Sequence, residues 1–230
     1  MKCFWKNLNC LEMIGNGKKC LKIFGNIFGK MGKSRNFSEF YNTLKMRQIP
    51  GFNIGYADKY DTIFYISNGI IPIRNEKYNW RGVIPGNTRE TLWTDYHSTE
   101  DLPQVLNPES GFLYNANNTP FKSTAENENP NSEDFPKEMG YSTYDNNRST
   151  RILELIESYD RIDFSDFKSI KFDYKYPTPF NFNFVDVNEI MEMHPEDYPD
   201  ISDLIIEIQN WDRLTNSDSI GAGIFAMFYY

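Results

Sequence analysis

Three asparagines at the end of one short apolar run carry the sharpest chemical signal in these 230 residues. The segment reads Asn107-Pro108-Glu109-Ser110-Gly111-Phe112-Leu113-Tyr114-Asn115-Ala116-Asn117-Asn118-Thr119-Pro120-Phe121. Asn-Pro-x-x-Gly is a turn word, and asparagines closing an apolar run ordinarily bond their own backbone in turns. The same residue type can instead present a neutral amide donor at the rim of a sheet. Acyl transfer passes through a tetrahedral oxyanion, and a donor fixed about 3 Å from it lowers the barrier by roughly 2.7–4 kcal/mol. Such a donor works only if a partner holds its own oxygen. Arg148, beyond a long polar stretch, has a rigid fork of donors that suits holding a carbonyl or the surroundings of a nucleophile. On spacing alone, an asparagine turn and a surface arginine stay open beside that chemistry.

Other chemistry is less well supported. His97 and His194 are the only histidines. Neither sits in a nucleophile motif, no Gly-x-Ser-x-Gly elbow is present, and both read as structural or surface residues. Glu192, Asp197 and Asp200 around His194 leave a cation site open, although acidic loops are usually just solvated. Gly15-Asn16-Gly17-Lys18-Lys19 lacks the spacing of a phosphate-binding loop. Aromatics interleave with acids rather than bases, which argues against a nucleic-acid platform. An aromatic, acidic surface would suit stacking on sugars. A non-catalytic interaction or glycan-binding module is therefore the alternative function.

The elements that must position these residues come from a globular composition, 24% charged and 16% aromatic. The net charge is −8, against non-specific nucleic-acid binding. Residues 1–36 invert it, with eight Lys and Arg against Glu12 alone, and read as a basic arm. Cys3, Cys10 and Cys20 all lie there, an odd number at spacings that match no zinc pattern. No run approaches the roughly 20 apolar residues of a membrane span. The apolar end, Ile220 to Tyr230, is expected to have been followed by more chain, since it would otherwise leave a sticky patch.

Phe37, Phe40, Tyr41 and Leu44 recur at helical spacing and predict a helix over 37–46, stopped by Pro50-Gly51. Residues 52–58 and 62–68 predict a β-hairpin around Lys59-Tyr60-Asp61. Residues 75–109, with Trp80 and Trp93, read as an ordered, aromatic-pinned loop region. Phe112–Asn115 is predicted to be a strand, and 122–147 a long loop. Ser149 or Thr150 is expected to cap a helix carrying Ile152 to Ile156. Residues 163–200 receive no assignment. Ile201 to Trp211 predicts an amphipathic helix, and 218–230 a buried one.

Set end to end, several stretches resemble the penicillin acylase (penicillin amidase) family of N-terminal-nucleophile hydrolases. Asn53-Ile54-Gly55-Tyr56-Ala57-Asp58 with Ile63-Phe64-Tyr65 is similar to its hairpin. Ile71-Pro72-Ile73-Arg74, Trp80-Arg81-Gly82 to Pro85, Asn107-Pro108 to Gly111, and Asn115-Ala116-Asn117-Asn118-Thr119-Pro120 follow in the family's order. Arg148 with Arg151-Ile152 resembles the arginine that opens the next helix. The resemblance is strongest over roughly 37–160. It implies an α+β fold, part of an αββα sandwich, with 37–230 a partial β-subunit-like domain. It implies an amide hydrolase that cleaves an acyl group from an amine such as a β-lactam or an acyl-homoserine lactone. By position Asn117 matches the oxyanion asparagine and Arg148 the arginine that supports the active site, with Asn115 a neighbouring candidate.

Departures accompany the likeness. The segment that would begin with the nucleophilic Ser is not among these residues, so the chain is expected to be inactive alone. Its implied partners are the missing N-terminal part (α-subunit and start of the β-subunit), the C-terminal remainder and a small amide substrate. The hairpin's Gly-Asn is replaced by Asp61-Thr62. No cofactor is expected. Calcium occurs in some members, with Glu133 or Asp134 the local candidates, but a proline loop that helps ligate it is shortened between Arg74 and Trp80. Members are commonly exported, which implies a periplasmic or exported setting.

Overall fold

The computed structural model describes residues 25–49, 51–178 and 187–229. The chain divides into two compact units, Met1–Tyr144 and Asp145–Tyr230. The three cysteines and Gly15 to Lys19 lie outside the described residues, as does most of the basic arm. Within the arm, residues 25–31 are helical.

Beyond that arm, the first unit builds a three-stranded antiparallel sheet against the helix of residues 37–44. Helix α1 (Phe37–Leu44) starts where Asn36 accepts a hydrogen bond from the Glu39 amide at 3.0 Å. Its apolar face buries Phe40 and Leu44 against Phe64 and Ile66 of the sheet, with Leu102 and Met139. Phe37 meets Phe64 edge-on at 4.9 Å, and Phe40 tilts over Tyr56 at 4.6 Å. Each buried large side chain stabilises by about 1.5–3 kcal/mol. Strands β1 (Phe52–Ala57) and β2 (Ile63–Asn68) form the expected hairpin, with Gly55 opposite Tyr65. Its turn is closed by Asp58, whose carboxylate accepts from the amides of Tyr60 at 2.9 Å and Thr62 at 3.1 Å. Asp61 takes a left-handed φ of 59°, a conformation that Asp tolerates in turns.

The third strand is not the expected one. β3 is Gln104–Leu106, paired antiparallel with β2 through Val105 opposite Tyr65. Tyr41 of α1 fixes it by donating to the Gln104 side chain at 3.0 Å. Phe112–Asn115 joins no ladder. Its Tyr114 amide instead donates to the Ser123 carbonyl at 2.9 Å. Three short 3₁₀ helices order much of the loop expected over 122–147: Glu126–Glu128, Ser132–Asp134 and Lys137–Met139.

The second unit is helical. Helix α2 (Asn147–Glu157) is capped by Asn146 rather than by Ser149 or Thr150. Ser149 stands three residues further on, fully buried, and completes a reciprocal capping box. Helix α3 (Phe164–Lys171) is capped in the same way by Asp163 and Asp166. Helices α4 (Val187–Glu192), α5 (Ser202–Gln209) and α6 (Ile220–Tyr229) follow. Ile208, Trp211 and Phe225 form the core, and the rings of Trp211 and Phe225 stack at 5.4 Å. α6 is buried on one side only, since Met227 is 85% exposed. Arg151 clamps Asp173 with two bonds of 2.8 and 3.0 Å. That guanidinium holds the Asp173 carboxyl below its ordinary range. Among the described residues no helix is long and apolar enough to cross a membrane.

Candidate active site

The asparagine segment is built from its entry turn upward. Asn107, at φ 48°, bonds Ile63 at the start of β2 twice, once through its amide at 2.9 Å and once through its side-chain oxygen at 2.8 Å. The Gly111 amide then donates to the Pro108 carbonyl at 3.0 Å, with Gly111 at φ 73°, so Asn-Pro-x-x-Gly makes its turn. Glu128 receives the amides of Glu109 and Ser110. Its bonds to Ser110 hold its carboxyl below the usual range.

Asn115, Asn117 and Asn118 then take three different jobs. Asn118 is buried; its oxygen accepts from the Ala116 amide at 2.7 Å, and its nitrogen donates to the carbonyls of Thr119 and Lys122. Asn115 is exposed, and its oxygen accepts from the Asn53 side chain of β1 at 3.0 Å and from the Asn117 amide at 3.2 Å. Asn117 is exposed at the tip with φ 59°. Outside glycine, Asn is the residue type that enters this region most readily, because its short amide bonds locally. The sheet thus fixes a left-handed tip through a relay of two amides, Asn53 to Asn115 to the backbone of Asn117. Such a brace sets the backbone at 117, an exposed position.

Arg148 occupies the first turn of α2, exposed, two residues after the Asn146 cap. Asn117 belongs to the first compact unit and Arg148 to the second. The structure brings Asn115 and Asn117 together and defines Arg148 within its own helix. His97 donates its backbone amide to Ile71 at 2.9 Å. His194 is exposed and lies 3.6 Å from the Glu196 carboxylate. Among the described residues no three His, Cys, Asp or Glu side chains gather as a metal site. The cation site left open around Glu192, His194, Asp197 and Asp200 does not form. Glu133 and Asp134 lie on one 3₁₀ helix, and no third His, Cys, Asp or Glu side chain gathers with them among the described residues.

Arg74 and Trp80, which stand in two of the resemblance motifs, meet in a cluster with Trp93. Arg74 lies between two indoles, 5.6 Å from the Trp80 ring and 5.4 Å from that of Trp93. It donates to the Glu138 carbonyl at 2.7 Å and lines a cleft of about 1240 Å³. The sequence signal for it was a lone arginine followed by two tryptophans in a loop.

A helix-backed antiparallel sheet, edged by an asparagine-braced loop and followed by a capped helical unit, is an α+β arrangement. It is similar in fold to a thermostable penicillin G acylase from Alcaligenes faecalis, with a TM-score of 0.56 and 20% identity over 82% of this chain and 32% of that one. The penicillin G acylase of Escherichia coli is 33% identical over 90 residues, which are 39% of this chain and 10% of that protein. The penicillin amidase family model matches residues 24–230, and the chain belongs to that family. It spans about a tenth of the curated relative and about a third of the solved chain.

Proposed function

We propose that these residues are a segment of an amide hydrolase in which Asn117 donates its side-chain N–H to the oxyanion of acyl transfer. The observation that carries this reading is the exposed left-handed tip at Asn117, braced by Asn115, which Asn53 of β1 holds in turn, in a family member. A neutral amide held from behind stabilises developing charge without reorganising, which is where such donors gain their effect. By its match to the family's motif, Arg148 at the start of α2 is assigned the role of the arginine that supports the active site. The attacking hydroxyl is a Ser supplied by polypeptide outside these 230 residues, with its own amino group as base. Residues 37–230 then serve as β-subunit-like structure within an αββα sandwich, and 1–36 as a basic arm. The substrate is an acylated amine of the β-lactam or homoserine-lactone kind, met in an exported setting. Any calcium would draw most of its ligands from elsewhere.

The test is amide hydrolysis measured on the isolated chain and on an assembled acylase that contains it. A panel of acyl anilides, acylated β-lactams and acyl-homoserine lactones covers the substrate range. The isolated chain is expected to release no product and the assembled enzyme to turn over at least one class. Turnover by the isolated chain would overturn the claim that the nucleophile lies elsewhere.

A further inference from the structure

We propose that the cleft beside Arg74 is a binding site for a small organic carboxylate with an apolar or aromatic body. The site is separate from the asparagine loop, since none of Asn115, Asn117 and Asn118 lines the cleft. Arg74 is half-buried, and no carboxylate of the described residues lies within ion-pair distance of it. Burial alone pulls its affinity for protons down, with no acid restoring it. A buried charge without a counter-charge is unfavourable and is best relieved by an anion.

The geometry favours a planar anion. The guanidinium carbon lies over the rings of both Trp80 and Trp93, within cation–π range. Glu138 takes one N–H through its backbone carbonyl, and Gly140 lets the chain pass close by, since a Cβ there would lie 3.2 Å from the same nitrogen. The Arg74 Nε is closed off from solvent without a hydrogen-bond partner, so a carboxylate would meet the terminal Nη groups. A guanidinium edge with donors to spare matches a carboxylate bidentately. Arg81, also on the lining, is exposed, and its guanidinium donates to the Tyr141 carbonyl at 3.3 Å. Lys137 adds a second exposed cation.

The walls supply the apolar preference. Phe121, Phe135 and Tyr141 line the cleft as one cluster, with Phe121 5.5 Å from Phe135 and 6.3 Å from Tyr141. Glu76, Glu133 and Asp134 also line it, but all three are exposed, where water screens their repulsion. Glu138 is half-buried and turns its backbone carbonyl to Arg74. The half-buried cation therefore shares its cleft with an aromatic wall, while three of the four lining acids sit in solvent.

Isothermal titration of the 230-residue chain tests this with benzoate and cyclohexanecarboxylate as probes. Benzamide is the neutral isostere and inorganic phosphate the bodiless anion. Both carboxylates are expected to bind saturably, and benzamide and phosphate about tenfold more weakly or not at all. Arg74→Lys should weaken benzoate about tenfold, because Lys keeps the charge and loses the fork. Arg81→Gln, at an exposed position, should weaken it a few-fold, and it decides the matter if the Arg74 variant does not fold. Benzamide or phosphate binding as tightly as benzoate, no saturation with either carboxylate, or folded variants binding like the parent would each overturn the proposal.

Discussion

The two compact units solve the same problem, fixing irregular chain, by different means. In the first, side-chain amides and carboxylates bond loop backbone: Asn107, Asn115, Asn118, Asn129 and Glu128 each hold one or more main-chain N–H groups. In the second, capping boxes start α2 and α3, and the Arg151–Asp173 clamp and a stacked aromatic cluster hold the chain together. Amide-to-backbone bonds leave a loop tip exposed yet ordered, which is what a catalytic donor needs. Capped helices leave exposed faces such as that of Phe164 and Phe167 instead. The difference teaches that display of a polar group belongs to the first unit and packing to the second.

The largest effects should come from the cores, and they should separate the units. Phe64→Ala removes a ring that is 1% exposed beneath α1 and should cost about 3–5 kcal/mol in urea unfolding. If the units unfold independently, the transition of the second should stay in place. Gly221→Ala is next, because a Cβ there would lie 2.5 Å from the Trp211 side chain. Overpacking of that kind costs about 1–3 kcal/mol, read as a lowered unfolding midpoint. Asn118→Ala strips the loop's buried anchor and should cost about 1–3 kcal/mol, with faster amide exchange at Ala116. Asp173→Asn breaks the clamp to Arg151 with a pH signature. The folded-state pKa of Asp173 is depressed, so its stabilisation is present above the unfolded value of about 3.9 and is lost as pH falls through the lower folded value. The gap between parent and variant at pH 7 should therefore close in acid. Phe167→Ala, on an exposed face of α3, should move stability by no more than about 0.5 kcal/mol.

Much of this architecture was legible in the residue pattern. Phe37, Phe40, Tyr41 and Leu44 mark α1 because a helix buried on one face needs that period. The hairpin was legible because Asp58 and Asp61 are turn residues between two aromatic runs. β3 was not, because Gln104-Val105-Leu106 has no alternation of its own and becomes a strand only by pairing with β2. Phe112–Asn115 looks like a strand by composition, yet its hydrogen bonding goes to Ser123 in a loop. The cap at Asn146 was masked by equally good caps at Ser149 and Thr150, and the capping box settles which one starts the helix. Asp163 with Asp166 spells a helix start inside a stretch whose mixed aromatics, Pro and Asp hide its period. In the candidate site, the Asn cluster was legible by residue type, but its division of labour was not. Which amide braces and which is displayed depends on contact with Asn53, 62 residues away from Asn115. Arg74 was invisible as a ligand-facing group because its surroundings come from Trp93 and Glu138, both far along the chain.

The measurement that bears most directly on the asparagine reading is Asn117→Gly in an assembled acylase containing this segment. Asn117→Ala would confuse two losses, because a side chain without local bonding at φ 59° costs about 1–2 kcal/mol of backbone strain. Glycine accepts that φ, so it removes the side-chain amide without adding that strain. The expected result is an unfolding midpoint close to the parent's, with kcat reduced about a hundred-fold or more. Parental turnover in a stably folded Asn117→Gly enzyme would contradict the account and leave position 117 as a turn residue.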